Sequence, residues 1–169
     1  ASWASIALEP DLTTADHRGE TVEAQLRTIE SPFALAHCLE IRALVLLRLG
    51  RAEDARPRLL ESVGLFSDSR NAGCTAHCLE AIAAALVATD TSPQMCSAAA
   101  ELLGASEALR AASGHRHRPW ELDGQRAALT VLRNAMEPVQ LEAAIVRGRG
   151  HTMGSATELA QQVLVAAKG

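Results

Sequence analysis

The chain has 169 residues, of which 48% are hydrophobic but only 2% aromatic, and its formal charge is −4. With two Trp, two Phe and no Tyr, its core has to be built from Ala and Leu, strong helix formers that let helices approach closely. A β-sandwich or barrel would want Val, Ile, Thr and rings instead of Ala and Leu, and the acidic balance argues mildly against nucleic-acid binding by this segment.

This length suffices for one domain that buries roughly 70% of its unfolded surface. Lys168 is the only lysine beside many arginines, the codon usage of a GC-rich bacterial genome. Cys38, Cys74, Cys78 and Cys96 lie in Ala/Leu-rich helical contexts and read as buried free thiols. No signal peptide is visible and no apolar run reaches the ~18 residues of a membrane span, so the expected location is cytoplasmic, away from membranes. The first residue is Ala, not Met, which reads as a fragment.

In chain order, residues 1–9 read as the tail of one helix and residues 20–30 as its partner. Ser31 and Pro32 open a helix that Gly50 stops. Glu53 and Asp54 start the next, with Leu59, Leu60, Val63 and Phe66 as its apolar stripe. Residues 67–71 read as a turn. A helix over 72–89, a looser turn over 90–93 and a long helix over 93–112 ending at Gly114 follow. His115 to Pro119 is a polar connector. Helices are predicted over 120–136, 138–146 and 155–167, with a break at Gly148-Arg149-Gly150.

Ala36-His37-Cys38-Leu39-Glu40 recurs as Ala76-His77-Cys78-Leu79-Glu80, a shift of 40 residues. A period near 40 fits helix-pair repeats. The expected fold is therefore all-α: tandem antiparallel helix pairs in a right-handed, tetratricopeptide-like superhelix. It forms one domain over 1–169, with a partial repeat over 1–30, repeats over 31–69 and 70–114, and capping helices over 119–168.

Leu49-Gly50-Arg51-Ala52-Glu53-Asp54-Ala55 resembles the tetratricopeptide turn, with Ala43 and Ala55 at its small positions and Leu39, Leu46 and Leu59 at its large ones. Ala100 to Arg110, taken with Cys78-Leu79-Glu80, resembles the last repeats of large bacterial ATP-dependent transcriptional regulators. These are the MalT-like and LuxR-type families and related actinobacterial ATPases with cyclase or winged-helix modules. Gly148-Arg149 followed by Ser155 to Ala160 fits the end of that region, and the resemblance spans residues 30–168. The chain departs from the pattern at Asp90 to Met95, where the turn reads as about four residues longer. It also lacks an acidic, proline-rich start before Trp120. The resemblance implies a regulatory or sensing arm, because no phosphate-loop motif and no helix-turn-helix is present.

Several residues are candidates for chemistry. Cys74, His77 and Cys78 share a helix face and would start a zinc site, with Cys96, His37 or Cys38 as the fourth ligand; the plainer reading is core filling plus duplication. His77 and Cys74 also stand within reach of each other as base and nucleophile. His115 to Arg118 reads as a solvated basic connector, and His151 follows a Gly-rich turn that could hold phosphate. No catalytic motif is recognised, so a non-enzymatic domain without metal or cofactor is expected. Binding would use the groove lined by the first helix of each pair, where Glu40, Arg42, Arg48 and Glu80 are the candidate contacts. The expected partner is a protein, a peptide or another module of the parent chain. Alternatives are a small-effector sensor and an architectural oligomerisation scaffold.

Overall fold

The computed structural model describes residues 6, 9–117 and 121–166, except the side chains of residues 121 and 123. The reading of residues 1–9 as a helix tail, and Trp120, lie mostly outside these. Among the described residues the chain is all-α, with eight helices and no strand. They are α1 (Leu12–Thr28), α2 (Pro32–Arg48), α3 (Ala52–Asp68), α4 (Ala72–Thr89), α5 (Pro93–Ser113), α6 (Glu121–Ala135), α7 (Pro138–Arg149) and α8 (Met153–Ala166).

The first four helices start at residues 12, 32, 52 and 72, so the 40-residue recurrence coincides with helix boundaries. α1 begins well before the predicted 20–30 because Asp11 caps it, accepting from the Thr13 amide at 3.0 Å and the Thr14 hydroxyl at 2.9 Å. The α2–α3 and α3–α4 turns have one geometry. In the first, the Arg51 amide bonds Leu46 O and the Gly50 amide bonds Leu47 O. In the second, Asn71 bonds Phe66 O and Arg70 bonds Ser67 O. Both are Schellman closures, which need a left-handed residue. Gly50 supplies it at φ 74°, and Arg70 adopts it at φ 53°. Ser67 and Asp68 are thereby the last turn of α3 and not loop.

Two local expectations change. The turn between α4 and α5 is residues 90–92, no longer than the turn at 49–51. Asp90 tightens it by accepting from the Ser92 amide at 2.7 Å, and Ser92 caps α5. Gly148 does not break its helix, because α7 continues to Arg149. A Cβ on Gly104 of α5 would collide with the Ile145 carbonyl of α7, and one on Gly148 with the Glu101 carbonyl of α5. The two glycines let these backbones touch, and that contact holds the end of α7 helical.

α2 packs on α1 and α3, and α4 packs on α3, α5 and α2. The last three helices then fold back. α6 lies on α4 and α5, α7 runs along α5, and α8 crosses α3, α4 and α5. Contacts limited to sequential neighbours, the rule in an open solenoid, do not describe this arrangement. The core has a large cluster dominated by Ala and Leu across α2–α8 and a smaller one between α1 and α2, with Leu39, Leu46, Leu59, Phe66, Leu79, Leu102, Leu132 and Leu164 among the fully buried side chains. α4 is long and apolar enough to cross a membrane by length and composition, and 78% of it is buried inside the fold as the central helix.

The glycine crossing is testable. Gly148→Ala is expected to lower stability by about 3 kcal/mol, the cost of forcing packed backbones apart. Gly124→Ala in α6, whose nearest neighbour is Leu44 Cδ2 at 4.0 Å, is expected to raise it by about 0.5–1 kcal/mol. Urea unfolding followed by circular dichroism measures both; equal effects would show that the α5–α7 contact is not close.

Candidate functional site

α2 and α4 set the duplicated segments side by side. The Cys38 thiol donates to Gly19 O at 3.7 Å, and the Cys78 thiol donates to Leu59 O at 3.9 Å. Thiol and carbonyl have both moved by 40 residues, so the duplication extends to contacts.

The repeated carboxylates are the polar centre of the stack. Glu40 is 1% exposed. Its Oε1 lies 2.9 Å from His77 Nδ1, and its Oε2 faces His37 Nδ1 across 3.7 Å. Burial works to raise this carboxyl, but the neighbouring His77 and His37 imidazoles, His77 first, outweigh it and hold it below its ordinary value. Glu80 is 2% exposed. It accepts two Arg110 hydrogen bonds at 2.8 Å each, one from Ser106 Oγ at 2.5 Å, and contacts His117 Nε2 at 3.0 Å. Here too burial is outweighed, now by Arg110 and Ser106, and the carboxyl is held low. Each glutamate thus meets the histidine 37 residues downstream. His37, His77 and His117 form a series with the 40-residue spacing. Sequence reasoning stopped at the second member because His117 stands in the connector; extending the offset once more would have found it.

Of the four residues read as groove contacts, only Arg48 is exposed. Glu40 and Glu80 are enclosed as described. Arg42 is 6% exposed and reaches across to α1, binding Asp16 at 2.9 Å and Glu23 at 2.8 Å. Its stem lies against Gly19, where a Cβ would stand 3.1 Å from Arg42 Cγ. Glu23 also receives Arg27 and Arg58, and Arg27 bonds Glu61 through both its terminal nitrogens, so α1, α2 and α3 share one ion-pair network. These side chains offer nothing to a partner while the pairs hold.

Cys74, His77 and Cys78 face different neighbours. Cys74 Sγ lies 3.5 Å from His37 Nε2, His77 meets Glu40, and Cys78 Sγ lies 3.7 Å from Ser62 Oγ. Among the described residues, no group of three or more His, Cys, Asp or Glu side chains is arranged to hold a metal ion. All four cysteines are buried, and no disulfide joins any of them. Burial, helped by the Glu23 charge, pushes the Cys38 thiol up to about 11; burial also drives Cys78 well above its ordinary value and raises Cys96. His151 bonds Glu101 at 2.8 Å and Ser155 at 2.9 Å, fixing the α7–α8 turn onto α5. His115 packs on Gly73, and Arg116 points to solvent.

An open groove of about 580 Å³ runs between the end of α1, the start of α2 and the end of α3. Leu26, Leu35 and Leu65 line it, with Arg27 and Glu30 also at its wall. Phe33, at 46%, and Ile29, at 58%, are among the exposed large apolar side chains on the same two helix ends.

Glu80 gives the second testable consequence. Its folded carboxyl lies below the ordinary value of 4.5, so its pair stabilises the fold fully above that pH. The contribution is lost as pH falls through the folded pKa. Glu80→Gln takes the carboxylate charge out of the buried Glu80–Arg110 pair and is expected to cost about 3 kcal/mol at pH 7. Below pH 4.5 the gap between the two proteins should narrow; urea midpoints over a pH series measure it, and a constant gap would show that the carboxylate charge is not what matters. In comparisons with known proteins, the chain matches no family model, no curated protein and no solved structure.

Proposed function

We propose that the chain is a non-enzymatic helical-repeat interaction domain of the tetratricopeptide kind. Its α1–α5 stack would be a right-handed superhelical segment, and the domain the sensing arm of a bacterial, cytoplasmic signalling or transcriptional regulator of the MalT-like or LuxR-type class. The observation that carries this reading is the 40-residue duplication, which recurs in the helix starts and in the Cys38–Gly19 and Cys78–Leu59 contacts. Such duplications build stacked helices that present extended binding surfaces. The groove lined by Leu26, Leu35 and Leu65 is open to solvent and more apolar than polar, which suits a peptide segment of a protein partner better than an enclosed small effector.

An oligomerisation scaffold is the second reading, favoured by one feature of α7. Val139, Ala143 and Val146 fall at i, i+4 and i+7 and are all exposed, Val139 at 81% and Val146 at 53%. Such a stripe normally finds a covering surface.

Two measurements separate these readings. Sequencing the reading frame around this segment is expected to show a phosphate-loop ATPase, cyclase or DNA-binding module in the same chain; a frame of helical repeats alone overturns the regulator reading. Light scattering over a concentration series is expected to give the monomer mass. A mass that doubles with concentration, and returns to the monomer in Val139→Glu/Val146→Glu, would establish the scaffold instead.

A further inference from the structure

The structure pairs Cys74 with His37 of α2, whereas the sequence suggested His77 as its base. Cys74 is the third residue of α4, after the Asn71 cap, and its amide donates to Asn71 Oδ1 at 3.1 Å. Its sulfur therefore sits at the positive end of an 18-residue helix, where a thiolate is favoured. His37 Nε2 stands 3.5 Å from that sulfur, and Nδ1 of the same ring faces the Glu40 carboxylate. A neutral ring carrying its proton on Nδ1, the side that faces the carboxylate, would turn the Nε2 lone pair toward the thiol. The ring is held in place edge-to-face between Phe33, centroid 4.7 Å away, and Phe66, at 4.8 Å. Glu40 is itself fixed from the far side by His77.

Access sets Cys74 apart from the other three thiols. It is 9% exposed, whereas Cys38, Cys78 and Cys96 are each 0% exposed. Among the described groups near it are His37 and Glu40 from α2, His77 and Cys78 on its own helix, and His115 of the connector, which lies against Gly73. A nucleophile, a base within contact distance and a carboxylate that orients the base are together the arrangement that activates a sulfur.

We propose that Cys74 is a reactive thiol, with His37 as its base and Glu40 as the residue positioning that base, and that its co-reactant is a small peroxide. The thiol proton passes to His37 Nε2. The sulfur attacks one peroxide oxygen, an S–O bond forms and the O–O bond breaks. The departing oxygen takes the proton from His37 and leaves as water when the reagent is hydrogen peroxide. Sulfur is oxidised to the sulfenic acid and the peroxide is reduced. Cys74, His37 and Glu40 are not among the residues that line the groove.

The folded chain would be treated with hydrogen peroxide in the presence of dimedone, and the four cysteines compared by peptide mass spectrometry. Dimedone is expected on Cys74 at least about tenfold ahead of the others, the ratio that one unit of thiol acidity gives. In a parallel reaction with iodoacetamide, the Cys74 rate is expected to be already level at neutral pH. His37→Asn, checked for its helical circular dichroism, should shift that profile so that the rate climbs with pH as for an ordinary thiol. Equal and slow labelling of all four cysteines in the unsubstituted chain would overturn the proposal, and that result requires no variant to fold. An unchanged pH profile in folded His37→Asn would overturn the role of the imidazole.

Discussion

A carboxylate withdrawn from water has to be met by positive charge and hydrogen-bond donors, and the α2–α4–α5 stack is organised around two of them. Glu40 and Glu80 are 1% and 2% exposed, and neither finds its whole shell within its own helix. Glu40 draws His77 from α4, while Glu80 draws Ser106 and Arg110 from α5 and His117 from the connector. An unmatched buried charge costs several kcal/mol, so each carboxylate specifies which helix lies against it and at what height. The apolar layer beneath is mostly Ala and Leu, whose repeated shapes leave freedom to slide by a turn. The carboxylates remove that freedom.

The scarcity of rings imposes a second constraint. Small side chains give little area per residue, and the fold compensates by bringing helices close together. Gly104 and Gly148 carry this to backbone contact between α5 and α7. Anchored there, the chain can turn at residues 150–152 and send α8 back across α3, α4 and α5. The fold-back covers the apolar faces that α3–α5 would otherwise leave open, so the last helices enclose the stack and do not extend it.

Most helix boundaries were legible because they are written in local chemistry. Ser31-Pro32, Gly50, Ser92-Pro93 and Gly114 act within a turn of where they stand, and the structure ends or starts helices at each. α1 was read short because Asp11, its cap, lies before the stretch where apolar spacing is visible. Gly148 was read as a break because a glycine in a helix usually is one; its purpose depends on the Glu101 carbonyl, 47 positions away. The same limit applies to the candidate contacts. A charged residue on a helix is normally solvated, so Glu40, Arg42 and Glu80 were read as groove residues. What buries them are partners such as Asp16, His77 and Arg110, 26 to 37 residues distant, and no local pattern announces them.

A duplication also marks where two units have come to differ. Across the 40-residue offset, His37, Cys38, Leu39 and Glu40 return unchanged, and the Cys38 and Cys78 thiols make equivalent contacts. Immediately before this block the units diverge: Phe33 corresponds to Gly73 and Ala34 to Cys74. Loss of the ring at residue 73 makes room for His115, and the new sulfur at residue 74 faces His37, itself held by the Phe33 that the second unit lacks. Packing alone does not call for this pair of changes, because alanine at residue 74 would fill the same helix start with better intrinsic propensity and no polar atom. A thiol placed at a helix N-terminus against an oriented imidazole departs from an otherwise repeated pattern, and such local departures concentrate where a chain does chemistry, not where it only holds together.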